Sequence, residues 1–428
     1  MTGTGYIRPT GEDLMKVILW LALAVALLLP GTRVTRAAGN PPLPACLTAV
    51  IGTACLGPAQ MRQVYGVDSL LRHGITGRGK TIAIIVSFGS PTIRQDLHTF
   101  DREFSLPDPQ LDIRAPLGTG KDTDPGWMGE TTLDVEWAHA MAPGARILLL
   151  TSPVDETEGL QGVPQFFSLE QYAVQHGADV ISQSWAATED TLLDAKGRAM
   201  VAKFHRFYQD ATSRGVTVLG ASGDGGTQGL DLSLKKVFPY RTVQWPASDP
   251  LVLAVGGTQL ARSISGWGGE IAWPGSGGGF SKLYGEPSYQ RSLPAATQRA
   301  LHGQRGLPDV ALDAAKQSPF LLYRERWILA GGTSASTPVW AGLIALADSE
   351  AKHDLGSINA PLYRLAASSR YHRDFHDVTS GSILDPPSLE STGGPLHAAP
   401  GWDPATGLGS PHAASLLSDL VKAAGAAH

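Results

Sequence analysis

Charge is scarce in this sequence. Asp, Glu, Lys and Arg make up 17% of its 428 residues, against roughly a quarter in an average globular domain. The formal net charge is only −5 and no basic stripe is evident, which argues against nucleic acid as a partner. Such low charge density is compatible with life outside the cell in acid. Cysteine is scarcer still. Cys46 and Cys55 have no neighbouring histidines and cannot close a four-ligand zinc site. Two cysteines so close together in an exported chain suggest a small disulfide loop. The apolar run from Val17 to Leu29, preceded by Lys16 and ended by Pro30, falls short of the roughly 20 residues a membrane helix needs. With Ala37-Ala38-Gly39 offering a cleavage site, it reads as the core of a signal peptide over residues 1–39. Secretion without stable membrane association is the expectation, an uncleaved anchor the alternative.

Glycine and proline are plentiful, at 50 and 30 residues, within a chain that is 43% hydrophobic. This is a loop-rich protein with enough apolar residues for a large core. Thr81-Ile82-Ala83-Ile84-Ile85-Val86 is a continuous apolar strand of the kind buried on both faces of a parallel sheet. Further strands are expected at Leu111–Ile113, Ala145–Leu150, Asp179–Trp185 and Val216–Ala221. Helices are expected over Thr92–Phe104, Glu130–Met141, Leu169–His176 and Lys196–Arg214. This alternation predicts an α/β fold, a mostly parallel sheet with helices on both faces. Active sites of such sheets gather beyond the carboxyl ends of the strands. The glycine-rich stretch Val252–Lys282 carries Trp267 and Trp273, so it is expected to line a groove rather than act as a flexible linker. No 20–50-residue repeat is evident, nor any clear domain boundary between residue 59 and about 420.

Gly331-Gly332-Thr333-Ser334-Ala335-Ser336-Thr337-Pro338 stands between the apolar run Trp327–Ala330 and the apolar helix Val339–Ala347. Glycines there permit a sharp turn and close approach of a substrate backbone. Ser334 would sit at a helix N-terminus, where free N–H groups favour a developing negative charge, with Pro338 in the first turn. A plain serine cap is the bland alternative. A nucleophilic serine needs a proton acceptor, yet no Asp-Thr/Ser-Gly or His-Gly-Thr motif is present, and His139 reads as an ordinary helix residue. In their place come Glu130 and Asp134, four apart on a predicted helix and therefore on one face. Like charges that close should raise one pKa and suit a shared proton, although a solvated acidic face reads the same way. A third acid, Asp224, sits among glycines in Ser222-Gly223-Asp224-Gly225-Gly226 where a strand ends. Its alternative reading is a turn residue.

Five ordered motifs resemble the sedolisin family of serine–carboxyl peptidases. They are Glu-x-x-x-Asp from Glu130, Ser-Gly-Asp-x-Gly from Ser222, Ser-Gly-Gly-Gly-Phe-Ser from Ser276, Gly-Thr-Ser-Ala-Ser-x-Pro from Gly332, and Gly401-Trp402-Asp403. The resemblance implies a subtilisin-like fold in a single catalytic domain over residues 58–424, behind an N-terminal segment of residues 40–57. It implies Ser334 as nucleophile, Glu130 as general base, Asp134 as its proton-sharing partner and Asp224 at the oxyanion position. The expected function is a secreted endopeptidase, most active in acid, acting as a monomer on peptides or unfolded proteins. A catalytically inactive binding protein on the same fold is the alternative. No Gly-x-Ser-x-Gly elbow surrounds Ser334, which speaks against other serine hydrolases.

Asp377 and Asp403, set among turn residues near the C-terminus, are plausible ligands for Ca²⁺, which favours six to eight oxygens. Similarity to the sedolisin calcium loop implies one structural Ca²⁺, with backbone carbonyls from Val378, Ala399 and Gly401; the family often has glycine where Ala399 stands. Asp122 and Asp124 lack the rest of an EF-hand pattern. Ser184-Trp185-Ala186 resembles a segment that borders the family's substrate groove, with Ala186 in place of the usual glycine, and Trp185 suits a core position equally. The family is generally made with a long prosegment, and no such domain is expected ahead of Pro58.

Overall fold

Every residue of the strand Thr81–Ser87 (β1) is buried, and its side chains divide by parity. Ile82, Ile84 and Val86 join one apolar cluster, while Ala83 and Ile85 join another on the opposite face. A strand apolar on both sides can only lie inside a covered sheet. The computed structural model describes residues 46, 54–120, 123–263, 266–389 and 394–425. The expected signal peptide and Asp122 lie outside the described residues.

Seven further strands complete the sheet: β2 (Leu111–Arg114), β3 (Arg146–Ser152), β4 (Val180–Gln183), β5 (Thr217–Ala221), β6 (Val252–Ser263), β7 (Gly266–Ala272) and β8 (Val310–Asp313). Their order is β8-β6-β5-β4-β1-β3-β2, and β7 also pairs with β6. Pairing is parallel throughout that order, and only β7 runs antiparallel to its neighbour. Helices α1 (Ile93–Phe104), α2 (Pro125–Met141), α3 (Val163–Gln175), α4 (Ala195–Ser213) and α5 (Thr333–Ala351) cover it. Trp137 of α2 and Val339, Trp340 and Leu343 of α5 pack on one face. Phe166 of α3 and Phe204 and Tyr208 of α4 pack on the other. Among the described residues no helix is long and apolar enough to cross a membrane. Cys46 and Cys55 are joined by a disulfide.

Three expectations need correction. Helix α3 begins at Val163 rather than near Leu169, with Pro164 in its first turn. Helix α2 begins at Pro125, capped by Asp124, whose carboxylate accepts from the Trp127 N–H at 2.9 Å. The stretch from Val252 to Ser263 is a strand inside the sheet. Its glycines are demanded by neighbours: a Cβ on Gly256 would lie 2.6 Å from the Pro308 ring, and one on Gly257 2.7 Å from both Ala314 and Trp273.

Several carboxyls are walled into the core with incomplete hydrogen bonding. Glu136 accepts from the Tyr323 N–H, Glu170 from the Tyr208 hydroxyl, and Asp348 from the Leu355 N–H. The second oxygen of each has no partner. Burial pushes all three well above the ordinary carboxylate range. Their stabilisation is therefore complete below pH ~4, where the unfolded chain is protonated too, and is lost as pH rises through the folded pKa values. The thermal midpoint is expected to be higher at pH 4 than at pH 8, and Glu170→Gln should narrow that gap. An equal or higher midpoint at pH 8 would contradict this account.

Candidate active site

Two helices on the same face of the sheet bring the catalytic candidates together. Gly342 of α5 lies against the end of α2, where a Cβ would meet that of Met141 at 2.6 Å and the Ala138 carbonyl at 3.1 Å. Only a glycine lets the two backbones approach this closely. The contact faces Ser334, the second residue of α5, towards Glu130 and Asp134 on α2. The Glu130 carboxyl lies within the influence of the hydroxyls of Ser334 and Ser184, with its Oε1 buried and without a partner. Asp134 is wholly buried one turn further on and accepts from the Ser184 hydroxyl at 2.9 Å. Burial pushes Glu130 up to about 7, reinforced by the charge of Asp224 and opposed by the two serine hydroxyls. Burial, then repulsion from Glu130, raises Asp134 further above its ordinary value. The pair therefore retains a proton where an exposed carboxyl would have lost it.

Ser184 had no role assigned from the sequence, and neither had Thr333. The signal for Ser184 lies in Pro338, which falls in the second turn of α5 rather than the first. Without an N–H, Pro338 leaves the Ser334 carbonyl with no helical partner, and the Ser184 hydroxyl stands 3.4 Å from that oxygen. Trp185 turns away from the site. It is buried against Phe166 at 4.7 Å and Trp245 at 5.7 Å between ring centroids, so its place is in the core.

Asp224 follows β5 at the carboxyl end of the sheet. The Gly223 N–H donates to Thr333 Oγ1 at 3.1 Å, so that hydroxyl is free to donate to Asp224 Oδ1 at 2.9 Å. The Thr333 N–H donates to the same oxygen at 2.7 Å. Oδ1 is thereby committed as an acceptor, and any proton on this carboxyl resides on Oδ2. Burial raises the Asp224 pKa, although both Thr333 donors and the charge of Lys316 pull it down. Gly332, at φ +126°, approaches Oδ2 so closely that a Cβ there would lie 2.5 Å from it. A hydroxyl, two carboxyls sharing protons and a third carboxyl able to donate can together effect acyl transfer. His139 of α2 is turned elsewhere, buried against the Pro107 carbonyl at 2.8 Å and Asp101 at 3.3 Å.

The metal candidates also converge. The Gly401 N–H lies 3.1 Å from both oxygens of Asp377, which also accepts from the Tyr371 hydroxyl. Asp403 accepts from the N–H groups of Ala399, Ala405 and Thr406 and from the Thr406 hydroxyl. Burial pushes Asp403 up to about 7 against the pull of these donors. Among the described residues the carbonyls of Val378, Ala399 and Gly401 accept no hydrogen bond. Two carboxylates and three free carbonyls form an oxygen-only donor set suited to a hard cation. Among the described residues no group of three or more His, Cys, Asp or Glu side chains could hold a metal, so any ion here depends on main-chain oxygens.

Residues 123–360 match the subtilase family of peptidases. The chain is 33% identical to kumamolisin of Bacillus sp. (strain MN-32) over 381 residues, covering 86% of this chain and 64% of that protein. It is 30% identical to sedolisin of Pseudomonas sp. (strain 101) over 402 residues, covering 90% and 64%. It thus spans a little under two thirds of the length of these relatives. The solved structure of the Pseudomonas sedolisin, a serine-carboxyl proteinase complexed with pseudo-iodotyrostatin, superposes with a TM-score of 0.71 at 29% identity, covering 85% of this chain and 97% of that one. With the parallel sheet, the placing of Ser334 at the head of α5 and these similarities, the chain belongs to the subtilase family and, within it, to the sedolisins.

Proposed function

We propose that the protein is a secreted serine-type endopeptidase of the serine–carboxyl kind, acting as a monomer on peptides or unfolded proteins in acid. One observation carries this reading: a buried carboxyl pair, Glu130 and Asp134, faces Ser334 where a histidine base would otherwise be needed. Ser334 Oγ attacks the scissile carbonyl carbon and passes its proton to Glu130, while Asp134 holds the second proton of the pair. The carbonyl oxygen, now negative, accepts from Asp224 Oδ2–H and from the Ser334 N–H at the head of α5. Glu130 returns the proton to the leaving amine, the acyl–Ser334 ester forms, and water releases it by the same route in reverse. Burial lifts Glu130 to about 7, so it can take the Ser334 proton only in molecules whose carboxyl pair carries one proton and not two. That Ser334, Glu130, Asp134 and Asp224 lie close together weighs against an inactive binding protein.

Asp377 and Asp403, with the carbonyls of Val378, Ala399 and Gly401, would hold one Ca²⁺, which would neutralise the two carboxylates and fix the two loops that carry them. Cleavage of an unfolded protein across pH 3 to 8, with Ca²⁺ and beside Ser334→Ala, tests the reading. We expect cuts at internal bonds, read by mass spectrometry, greatest in acid and absent from the variant. Products confined to amino-terminal tripeptides would overturn the endopeptidase assignment. Activity undiminished at pH 8 would overturn the role of Asp224. Chelation is expected to lower the thermal midpoint, and Asp403→Asn to remove that sensitivity.

A further inference from the structure

The glycine run Gly275–Gly279 lies between the strand end that carries Asp224 and the loop that carries Asp403. On the first side, the Gly277 N–H donates to the Gly223 carbonyl at 2.8 Å and the Gly226 N–H donates to the Gly275 carbonyl at 3.0 Å. Gly277 is pressed so closely on Ser222 that an added Cβ would run into its carbonyl oxygen. On the second side, a Cβ on Gly278 would run into the carbonyl oxygen of Pro404. Ser276, wholly buried, donates its hydroxyl to the Ala405 carbonyl and accepts from the Gly257 N–H, both at 2.9 Å. The N–H of that same Ala405 donates to Asp403 Oδ1 at 2.8 Å. The segment after Asp377 joins from the flank: the Leu384 N–H donates to the Pro274 carbonyl, and the Thr227 N–H to the Leu384 carbonyl, each at 2.8 Å.

A displacement of Asp403 therefore has a short, stiff route to Asp224. It passes from the Asp403 carboxylate to the Ala405 peptide, to the Ser276 hydroxyl, along two glycines in contact on either side, to Gly223. Glycines here are the means of contact and not a source of slack, because backbone meets backbone with nothing between to absorb a shift. We propose that this run is a strut through which a cation held by Asp377 and Asp403 sets the position of Asp224, with Ser276 as its positioning residue. The cation loop would then act on transition-state stabilisation as well as on stability. The inference rests on the cation and oxyanion roles proposed above.

The test follows backbone amide resonances of the protein during titration with calcium chloride, and so needs no turnover. In the wild type we expect the amides of Gly223 and Thr333 to shift with the same midpoint as those of Ala399 and Ala405. In Ser276→Ala the loop amides should still respond, while the shifts at Gly223 and Thr333 fall by more than half. With peptide substrate, that variant should lose about tenfold in kcat with KM unchanged. The strut is overturned if calcium moves the loop amides alone in the wild type, or if Ser276→Ala keeps the full response at Gly223 and Thr333. Should the variant not fold, the wild-type titration decides by itself. Absence of calcium binding overturns the strut and leaves the peptidase reading standing. Coupled shifts in a protein that cleaves nothing do the reverse.

Discussion

Replacing Ser334 by alanine is expected to lower kcat by a factor on the order of 10⁶, with the fold unchanged. The basis is the proposed role of the Ser334 hydroxyl at the head of α5, which would form the acyl intermediate. Glu130→Gln should lose nearly as much, because an amide occupies the same space but accepts no proton. Nucleophile and base act as a unit in such enzymes, so their losses do not add. The double variant should be no slower than Ser334→Ala alone. Rates are read as the release of new amino termini from an unfolded protein at acid pH. A Glu130→Gln enzyme within tenfold of wild type would show that another group takes the proton, and the buried pair would then have no catalytic part.

Asp224 gives the second large effect, and its sign is testable through pH. Activity requires Oδ2 to carry a proton, since an ionised carboxylate would repel the oxyanion. The wild-type rate should therefore fall at high pH, where Asp224 is ionised even though burial sets its pKa above the ordinary carboxylate value. The rising limb belongs to the Glu130–Asp134 pair, which must shed one of its two protons to act as a base. A bell follows whichever group titrates first, because the active form needs one proton on the pair and one on Asp224. Asp224→Asn keeps a donor at every pH, and its falling limb should disappear or move upward. Asp224→Ala removes the donor and is expected to cost about 10²–10³ in kcat at all pH values. An Asp224→Asn profile with the wild-type falling limb would assign that limb to some other group.

Much of this was legible in the sequence, for identifiable reasons. Doubly buried strands such as β1 are apolar throughout their interior, here Ile82 to Val86, and a parallel sheet follows from such runs alternating with helices. Glu130 and Asp134 share a face simply because they are four apart on a helix. What escaped was whatever depends on neighbours remote in the chain. The strand from Val252 was obscured by Gly256 and Gly257, whose meaning lies in Pro308, Ala314 and Trp273. Ser184 became recognisable only once Pro338 was seen to free the Ser334 carbonyl. Thr333 sits beside the nucleophile in sequence, yet its part in orienting Asp224 depends on Gly223, which follows a different strand. The start of α3 was missed because Pro164 reads as a helix breaker unless it is placed in a first helical turn.

The pairing order of the sheet bears on how the protein comes into being. β1 binds β3 on one side and β4 on the other, and β6 binds β8, so each register closes a long loop of chain. Contacts so far apart in sequence form slowly, since the loop entropy is lost before the pairing rewards it. Glu130, Asp224 and Ser334 hang from three separate parts of this construction and meet only when it is nearly complete. A nascent chain therefore carries these side chains before they can meet. Under the proposed function, competence to cut would arrive late, together with the compactness that protects the molecule from its own kind.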